Sequence, residues 1–172
     1  MRLHLITLLL LPLVLSAQTV TTPDKTSGHP QQPATDAQRE ETPVGRRADL
    51  EEGIKHVLVS QVEAWNHGKL DAFMQGYWHS PDLTFFSGAT VTRGWEPTLL
   101  RYRQRYQAEG KEMGKLEFQD LSIDLLSRRA AVVTGRWQLT MSDGKQPHGL
   151  FTLIFKRLPV GWKIVHDHTS SE

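Results

Sequence analysis

The last third of the chain constrains the fold most strongly, because β-rich segments alternate there with short turns. Four segments have the residue alternation or the β-branched content of strands: residues 118–126, 130–141, 150–156 and 162–169. Asp143 and Gly144 form a strong hairpin signal between the second and third segments, and Pro159 and Gly161 mark a turn before the last. Consecutive strands joined by such short turns pair antiparallel, so this region predicts a four-stranded meander.

Helical spacing dominates the residues before the meander. An amphipathic helix is predicted to start near Arg47, with a core-facing stripe made of Leu50, Ile54, Val57, Leu58, Gln61, Val62 and Trp65. Asp49 and Glu52 resemble a capping box at its start, and Gly68 lies where the helix should end. A second, short helix is predicted from the shared face of Leu70, Phe73, Met74, Tyr77 and Trp78.

A short strand and a third helix complete the predicted domain. Pro81 lies in a turn that leads into a strand over residues 83–86, and Pro97 fits the first turn of the third helix. Helices followed by a meander predict an α+β domain over residues 47–172. In this domain N-terminal helices pack on a curved, mainly antiparallel sheet.

Two segments with different composition precede the domain. Residues 1–17 have the features of an export signal, namely Arg2, an apolar run of about 11 residues and a small-residue cleavage site ending at Ala17. This run is shorter than the ~20 residues of a membrane-spanning helix, so we expect cleavage and no stable membrane insertion, with an uncleaved anchor as the alternative. Residues 18–46 are rich in Thr, Gln and Pro and predict a disordered linker. The protein is therefore expected to be exported, to the periplasm or the medium.

The charge balance and the absence of cysteine exclude several functions. The chain has 20 Lys and Arg against 19 Asp and Glu, so no overall field attracts nucleic acid or an acidic membrane. It has no Cys, which excludes disulfides, thiolate metal sites and a cysteine nucleophile. Arg101, Arg103 and Arg105 alternate with tyrosines, but a helix places only Arg101 and Arg105 on one face. We interpret them as a solvated helix face and predict no nucleic-acid partner.

Five segments, in this order, carry a resemblance to a known family: AWNHGKLDAF at 64–73, SPDLTFFSG at 80–88, RGW at 93–95, AVVTGRW at 131–137 and GWKIVHDHTS at 161–170. In them the domain resembles the SnoaL-like branch of the nuclear transport factor 2-like superfamily, which includes the ketosteroid isomerases. The resemblance covers residues 48–170. It implies a cone-shaped fold that encloses a pocket, and it implies that homodimers are common. It does not specify a reaction, because enzymes, binding modules and dimerisation domains share this fold.

The last predicted strand carries the sharpest functional signal. On a regular strand Trp162, Ile164, His166 and His168 share one face, and Asp167 lies on the other. If Trp162 and Ile164 face the pocket, both histidines do so as well. Two imidazoles about 7 Å apart can act as acid and base near neutral pH, so we predict catalytic or ligand-binding roles for His166 and His168. The alternative is that both form hydrogen bonds within the pocket wall.

The same His-x-His spacing suits a metal ion, but no third ligand is apparent. Candidates would be His79, His148, Asp167 or a distant carboxylate, and Asp167 points away from both histidines on a regular strand. We therefore predict no metal site. No Gly-rich phosphate loop is present, and we predict no cofactor.

Aromatic residues are numerous enough to line a pocket for a partly apolar or ring-containing molecule. The predicted pocket residues are Trp65, Tyr77, Tyr106, Trp137 and Trp162, and ordinary core packing is the alternative for each of them. Isomerisation of the ketosteroid type needs a carboxylate base opposite a tyrosine and a protonated acid. Tyr77, Tyr106 and Asp82 are the residues available for it, but their spacing does not bring them together.

These observations predict an exported protein whose pocket binds a small, partly apolar molecule, with catalysis undecided. One alternative is a non-catalytic dimerisation or protein-interaction module. A second is a histidine-based enzyme of the isomerase or hydrolase type.

Overall fold

The computed structural model describes residues 43–171. Three helices are present in this part of the chain: α1 (Pro43–Asn66), α2 (Leu70–Met74) and α3 (Trp95–Tyr106). The strands in the same part are β1 (Thr84–Ser87), β2 (Thr90–Arg93), β3 (Lys115–Ser127), β4 (Ala130–Thr140), β5 (His148–Leu158) and β6 (Gly161–Thr169). The predicted export signal, and the predicted linker up to residue 42, lie outside the described residues.

The strands form one six-stranded sheet in the order β2-β1-β6-β5-β4-β3. Strands β3 to β6 pair antiparallel, as the short turns predict. Strand β1 lies beside β6 and runs parallel to it, with Thr84 opposite His166. The helices lie on this curved, unclosed sheet, so the predicted α+β class is confirmed.

Helix α1 presents a stripe of buried side chains to the sheet. Leu50, Ile54, Leu58, Gln61 and Trp65 are buried at intervals of three or four residues, which keeps them on one face of the helix. The other two members of the predicted stripe, Val57 and Val62, are partly buried beside them. The 3.6-residue period of the sequence therefore identified the packed face of the helix.

The start of α1 differs from the prediction, and its end agrees with it. The helix begins at Pro43, so Asp49 and Glu52 lie inside it and form no capping box at its start. The helix ends at Asn66, and Gly68 follows with a φ of 70°, a left-handed conformation that glycine adopts without strain.

The hairpin of β1 and β2 includes a strand that the sequence did not reveal. Thr90, Val91 and Arg93 are exposed and Thr92 is half-buried, so β2 has no alternation of apolar and polar residues. Gly88 turns the chain between the two strands with a φ of 56°. An edge strand of this kind forms by backbone pairing to β1 and leaves no pattern in its side chains.

The hydrophobic core lies between the helices and the inner face of the sheet. Its fully buried members include Ile54, Met74, Leu83, Phe155 and Ile164. No helix within residues 43–171 is long and apolar enough to cross a membrane.

Candidate functional site

A cavity of about 250 Å³ lies between the helices and the inner face of the sheet. Its lining is mainly aromatic and aliphatic, with a small number of polar groups. The residues that line it are Gln61, Trp65, Phe73, Tyr77, Phe85, Ser87, Gly88, Arg101, Tyr102, Arg105, Tyr106, Leu116, Phe118, Trp137, Leu139, Phe151, Leu153, Asp167, Thr169, Ser170 and Ser171. The volume lies just below the ~300–1,000 Å³ of pockets for drug-sized ligands, so the cavity suits a small molecule.

One wall of the cavity is a cluster of aromatic rings from α1, α2 and α3. Trp65 makes edge-to-face contacts with Phe73, Tyr102 and Tyr106, with ring centroids 4.8 to 6.0 Å apart. The indole N–H of Trp65 donates to the carbonyl oxygen of Met113 at 3.1 Å. With its polar group occupied, the indole offers apolar surface to the cavity.

Gln61 is the one polar member of the predicted α1 stripe, and a hydrogen bond accounts for its burial. Its side chain is buried, and Nε2 donates to the carbonyl oxygen of Phe73 at 3.2 Å. This bond fixes the amide against α2 and leaves Gln61 among the residues that line the cavity.

A β-bulge interrupts strand β6 between residues 164 and 166. Ile164 is opposite Phe155 and His166 is opposite Ile154, so Val165 has no partner of its own on β5. Two residues of one strand then face one position of the other, which is the definition of a bulge. Because side chains alternate with a period of two, one extra residue exchanges the faces of all residues that follow it.

The bulge places Asp167, and not the neighbouring histidines, on the inner face. Trp162 and Ile164 are buried before the bulge, and Asp167 is buried after it. His166 is half-buried and His168 is exposed, and neither lines the cavity. The prediction that both histidines share a face with Trp162 and Ile164 is therefore wrong. It assumed a regular strand.

Asp167 is a carboxyl group held among apolar side chains. It is 4% exposed, and its Oδ2 accepts a hydrogen bond from the Tyr77 hydroxyl at 2.7 Å. No group within residues 43–171 supplies a hydrogen bond to its buried Oδ1. Burial raises the pKa of Asp167 from 3.8 to about 7, and the hydrogen bond from Tyr77 offsets only part of this effect.

Two tyrosines extend this polar centre. The hydroxyls of Tyr77 and Tyr102 lie 3.4 Å apart, and both residues line the cavity. Burial, followed by the charge of Asp167, raises the pKa of each well above the ordinary value of 10.0. Both phenols are therefore protonated at neutral pH. The single O–H of Tyr77 donates to Asp167, so the Tyr102 O–H is the one that can donate to the Tyr77 oxygen or to a bound molecule.

Asp167, in contrast, is present in both protonation states near neutral pH. A carboxyl with a pKa of about 7 can take up a proton from a bound molecule or return one to it. In an aromatic cavity this gives the site a group capable of acid–base chemistry.

Four of the five predicted pocket residues line the cavity: Trp65, Tyr77, Tyr106 and Trp137. Trp162 does not line it. Its indole packs against α1, with Cδ1 2.9 Å from the position that a Cβ at Gly53 would occupy. Trp162 is therefore part of the core beneath the helix.

The two predicted catalytic histidines lie on the outer face of the sheet. Nδ1 of His166 is 2.6 Å from the Thr84 hydroxyl oxygen, and the rings of both histidines contact Phe86. Partial burial, and then the charge of His168, lower the pKa of His166. A catalytic role for His166 and His168 stays a prediction, and it would now require a site on the outer face.

Two other sets of residues were considered from the sequence, one for a metal ion and one for ketosteroid-type chemistry. No group of three His, Asp or Glu side chains among residues 43–171 could hold a metal ion. Of the residues considered for ketosteroid-type chemistry, Tyr77 and Tyr106 line the cavity and Asp82 does not. The carboxylate beside Tyr77 is Asp167.

The comparison with protein families and solved structures agrees with this architecture. A family model described as the SnoaL-like domain matches residues 54–171. An NTF-2-like protein of unknown function from Shewanella oneidensis is similar in structure, with 39% identity and a TM-score of 0.65, over 70% of this chain and 98% of that chain. No curated protein sequence matches the chain.

More distant structures show the same fold. An NTF2-like superfamily protein from Salmonella enterica is 19% identical, with a TM-score of 0.62, over 72% of this chain and 92% of that chain. A protein from Catenulispora acidiphila, solved in complex with S-DNPA, is 17% identical, with a TM-score of 0.60, over 72% of this chain and 94% of that chain.

Proposed function

The chain belongs to the SnoaL-like domain family of the NTF2-like superfamily, and on this premise we propose that its cavity binds a small, partly apolar molecule and exchanges a proton with it through Asp167. The observation that carries the proposal is the buried Asp167 carboxyl, which lines an aromatic cavity with one oxygen unpartnered among residues 43–171. Burying a carboxyl without full hydrogen bonding is costly, and such groups concentrate at functional sites.

The lining supports a ligand that contains a ring. Trp65, Phe73, Tyr102 and Tyr106 present ring faces and edges to the cavity, and such surfaces favour stacked or edge-on contact with another ring. The volume of about 250 Å³ favours a molecule with a single ring system. At the level of fold only, the S-DNPA complex of the Catenulispora acidiphila protein is consistent with binding of a small molecule.

Thermal unfolding of the full chain against a panel of monocyclic carbonyl compounds tests the binding step. A compound that binds only the folded state raises the midpoint of unfolding by mass action. We expect aromatic and alicyclic ketones and acids among the positive compounds, and we expect the shift to change with pH around 7 because Asp167 titrates there. The Asp167→Asn variant should bind with no such pH dependence, and Asp124→Asn, at an exposed position on β3, is the matched control that should behave as wild type.

Incubation of a bound compound in deuterated water tests the proton exchange. If Asp167 removes and returns a carbon-bound proton, the wild-type protein will incorporate solvent deuterium into the compound, and Asp167→Asn will not. Equal incorporation by wild type and Asp167→Asn would contradict the role of Asp167. Binding without deuterium incorporation into the compound would contradict the proton exchange, and the protein would then be a carrier or sensor of the same ligand.

We further propose that the protein acts outside the cytoplasm. The support is the sequence of residues 1–17, with Arg2, the apolar run and the Ala17 cleavage site. Fractionation of a Gram-negative host that expresses the full chain should recover a protein that starts at Gln18. The variant Leu9→Arg, which places a charge within the apolar run, should remain uncleaved in the cytoplasm. Cytoplasmic, uncleaved wild-type protein would contradict export.

A further inference from the structure

Helix α3 directs two arginines and two tyrosines toward the cavity. Arg101, Tyr102, Arg105 and Tyr106 all line it, since residues four positions apart share a helix face. Arg103 lies between them in sequence and points elsewhere. Its guanidinium pairs with Asp71 at 2.7 Å.

Among residues 43–171, no carboxylate forms an ion pair with either cavity arginine, Arg101 or Arg105. Their polar contacts are to neutral hydroxyls: Arg101 Nη1 donates to Thr92 Oγ1 at 3.4 Å, and Arg105 Nε donates to the Tyr106 hydroxyl at 3.3 Å. Both contacts are long for hydrogen bonds and leave most of the guanidinium N–H groups available to a ligand.

Aromatic rings hold both guanidinium groups in place. The Cζ atom of Arg101 lies 5.5 Å from the ring centre of Phe85, and that of Arg105 lies 5.6 Å from the ring centre of Tyr106. A guanidinium held near a ring by cation–π attraction is partly positioned before a ligand arrives, so less side-chain entropy is lost on binding. Two like charges four residues apart on a helix repel each other, and an anion between them removes that repulsion.

We propose that the ligand of the cavity carries a carboxylate, which Arg101 and Arg105 bind at the rim while the apolar part of the molecule lies among the aromatic side chains. This inference rests on the proposed small-molecule function and names its substrate class as small organic acids with a ring. Guanidinium groups match the planar geometry of a carboxylate with paired N–H donors.

Matched acids and amides test the inference. The probes are benzoate, phenylacetate, 3-phenylpropanoate and indole-3-acetate, each compared with its primary amide, which keeps the ring and removes the charge. Affinities are measured by isothermal titration with the full chain at low ionic strength. We expect at least one acid to bind at least about tenfold more tightly than its amide, because hydrogen bonds to charged groups are the stronger ones.

The arginines are tested with glutamine variants. The double variant Arg101→Gln/Arg105→Gln should lose the preference for the acid and bind acid and amide equally. Arg103→Gln is the matched control, on the same helix but paired with Asp71 away from the cavity. It should keep the wild-type preference. Circular dichroism and the unfolding midpoint of each variant show whether it is folded before its affinity is interpreted.

The outcomes separate this inference from the proposed function. If amides bind as tightly as acids, or if the double variant keeps the preference, the carboxylate inference is overturned and cavity binding stands. If neither acids nor amides bind at millimolar concentration, the inference and the choice of ring-containing ligands both fail. Added salt should weaken binding of the acid more than binding of the amide, because screening acts on the charge.

Discussion

Asp167 reduces the stability of the folded domain at neutral and higher pH. Its folded pKa of about 7 lies above the ordinary value of 3.8, so between these values the folded state binds a proton that the unfolded state has lost. The free energy of unfolding therefore falls as pH rises from about 4 to about 7, and the contribution of Asp167 is constant above that range. The difference between the two pKa values corresponds to a loss of roughly 4 kcal/mol in the free energy of unfolding across this pH range.

Replacing this carboxyl by an amide is therefore predicted to stabilise the protein at high pH. Asp167→Asn should unfold with a free energy about 2–4 kcal/mol higher than wild type near pH 8, because no charge is then buried. Near pH 3 the two proteins should be similar, since Asp167 is then mostly protonated in both the folded and the unfolded state. Urea titrations across this pH range measure the difference.

A surface aspartate provides the control for this prediction. Asp124 is exposed on β3, and Asp124→Asn should change the free energy of unfolding by less than about 0.5 kcal/mol. If Asp167→Asn is less stable than wild type near pH 8, the carboxylate is better accommodated than its surroundings suggest, and the pKa assignment is wrong.

Tyr77 is predicted to contribute more when Asp167 is ionised. Its hydroxyl donates to Asp167 Oδ2 at 2.7 Å, and hydrogen bonds to charged acceptors are stronger than neutral ones. Tyr77→Phe should cost about 1–3 kcal/mol of unfolding free energy near pH 8 and less near pH 5. A cost independent of pH, again from urea titrations, would show that this bond does not discriminate between the two forms of Asp167.

In strand β6 a single bulged residue makes the observed side-chain orientations differ from those that the sequence alternation predicts. The sequence alternation correctly places Trp162 and Ile164 inward, but Val165 is inserted at the bulge and the faces exchange after it. The adjacent buried pair Ile164 and Val165 was the only local signal, and two adjacent β-branched residues are also common in regular strands. The register of pairing with β5 determines whether a bulge forms, and this register depends on the tertiary structure.

Cysteine accessibility measures the face of each residue in β6. The chain has no Cys, so single replacements at His166, Asp167 and His168 give clean probes. The bulge predicts that the His168→Cys variant reacts with a thiol reagent at least about tenfold faster than the Asp167→Cys variant under native conditions. Denaturant should make the rates equal. The reverse order in the native protein would indicate a regular strand and restore the inward orientation of the histidines.

The other elements show which patterns could be interpreted from sequence. The helical stripe of α1 and the four long strands follow from periodicity and turn residues. The second helix is found where the sequence predicts its start, but it ends at Met74, and Tyr77 of the predicted helical face instead forms an isolated parallel bridge with Ile164. The start of α1 and the strand β2 were missed for the same physical reason. Their residues are mostly exposed, so burial imposes no pattern on them.

At the scale of the whole molecule, the site is assembled from segments that are distant in sequence. Trp65 comes from α1, Arg101 and Arg105 from α3, and Asp167 from the last strand. The aromatic lining could be predicted in outline, because large aromatic residues concentrate at cores and pockets. The cavity position of Arg101 and Arg105 could not, because a charged helix face has the same sequence pattern whether it faces solvent or a cavity.

The domain is predicted to fold without the preceding residues. The Shewanella oneidensis protein matches 98% of its own chain to 70% of this one, and the named lining residues lie between 61 and 171. A chain trimmed to residues 43–172 should unfold in one cooperative transition, with a midpoint within about 4–8 °C of the full chain, which corresponds to about 1 kcal/mol. Scanning calorimetry measures the cooperativity of the transition and its midpoint. A broad, non-cooperative transition would show that the domain needs residues 1–42.

The central claim is that Asp167 is a buried, proton-exchanging group in the cavity, and its own titration tests this most directly. Carbon-13 NMR of protein labelled at the aspartate carboxyl carbons, with the Asp167 signal assigned from the spectrum of Asp167→Asn, follows the group as pH is varied. The account predicts a midpoint near the pKa of about 7 and a further change in that midpoint when a cavity ligand is bound. A midpoint near the ordinary 3.8 would show that Asp167 is solvated and would contradict the proposed function.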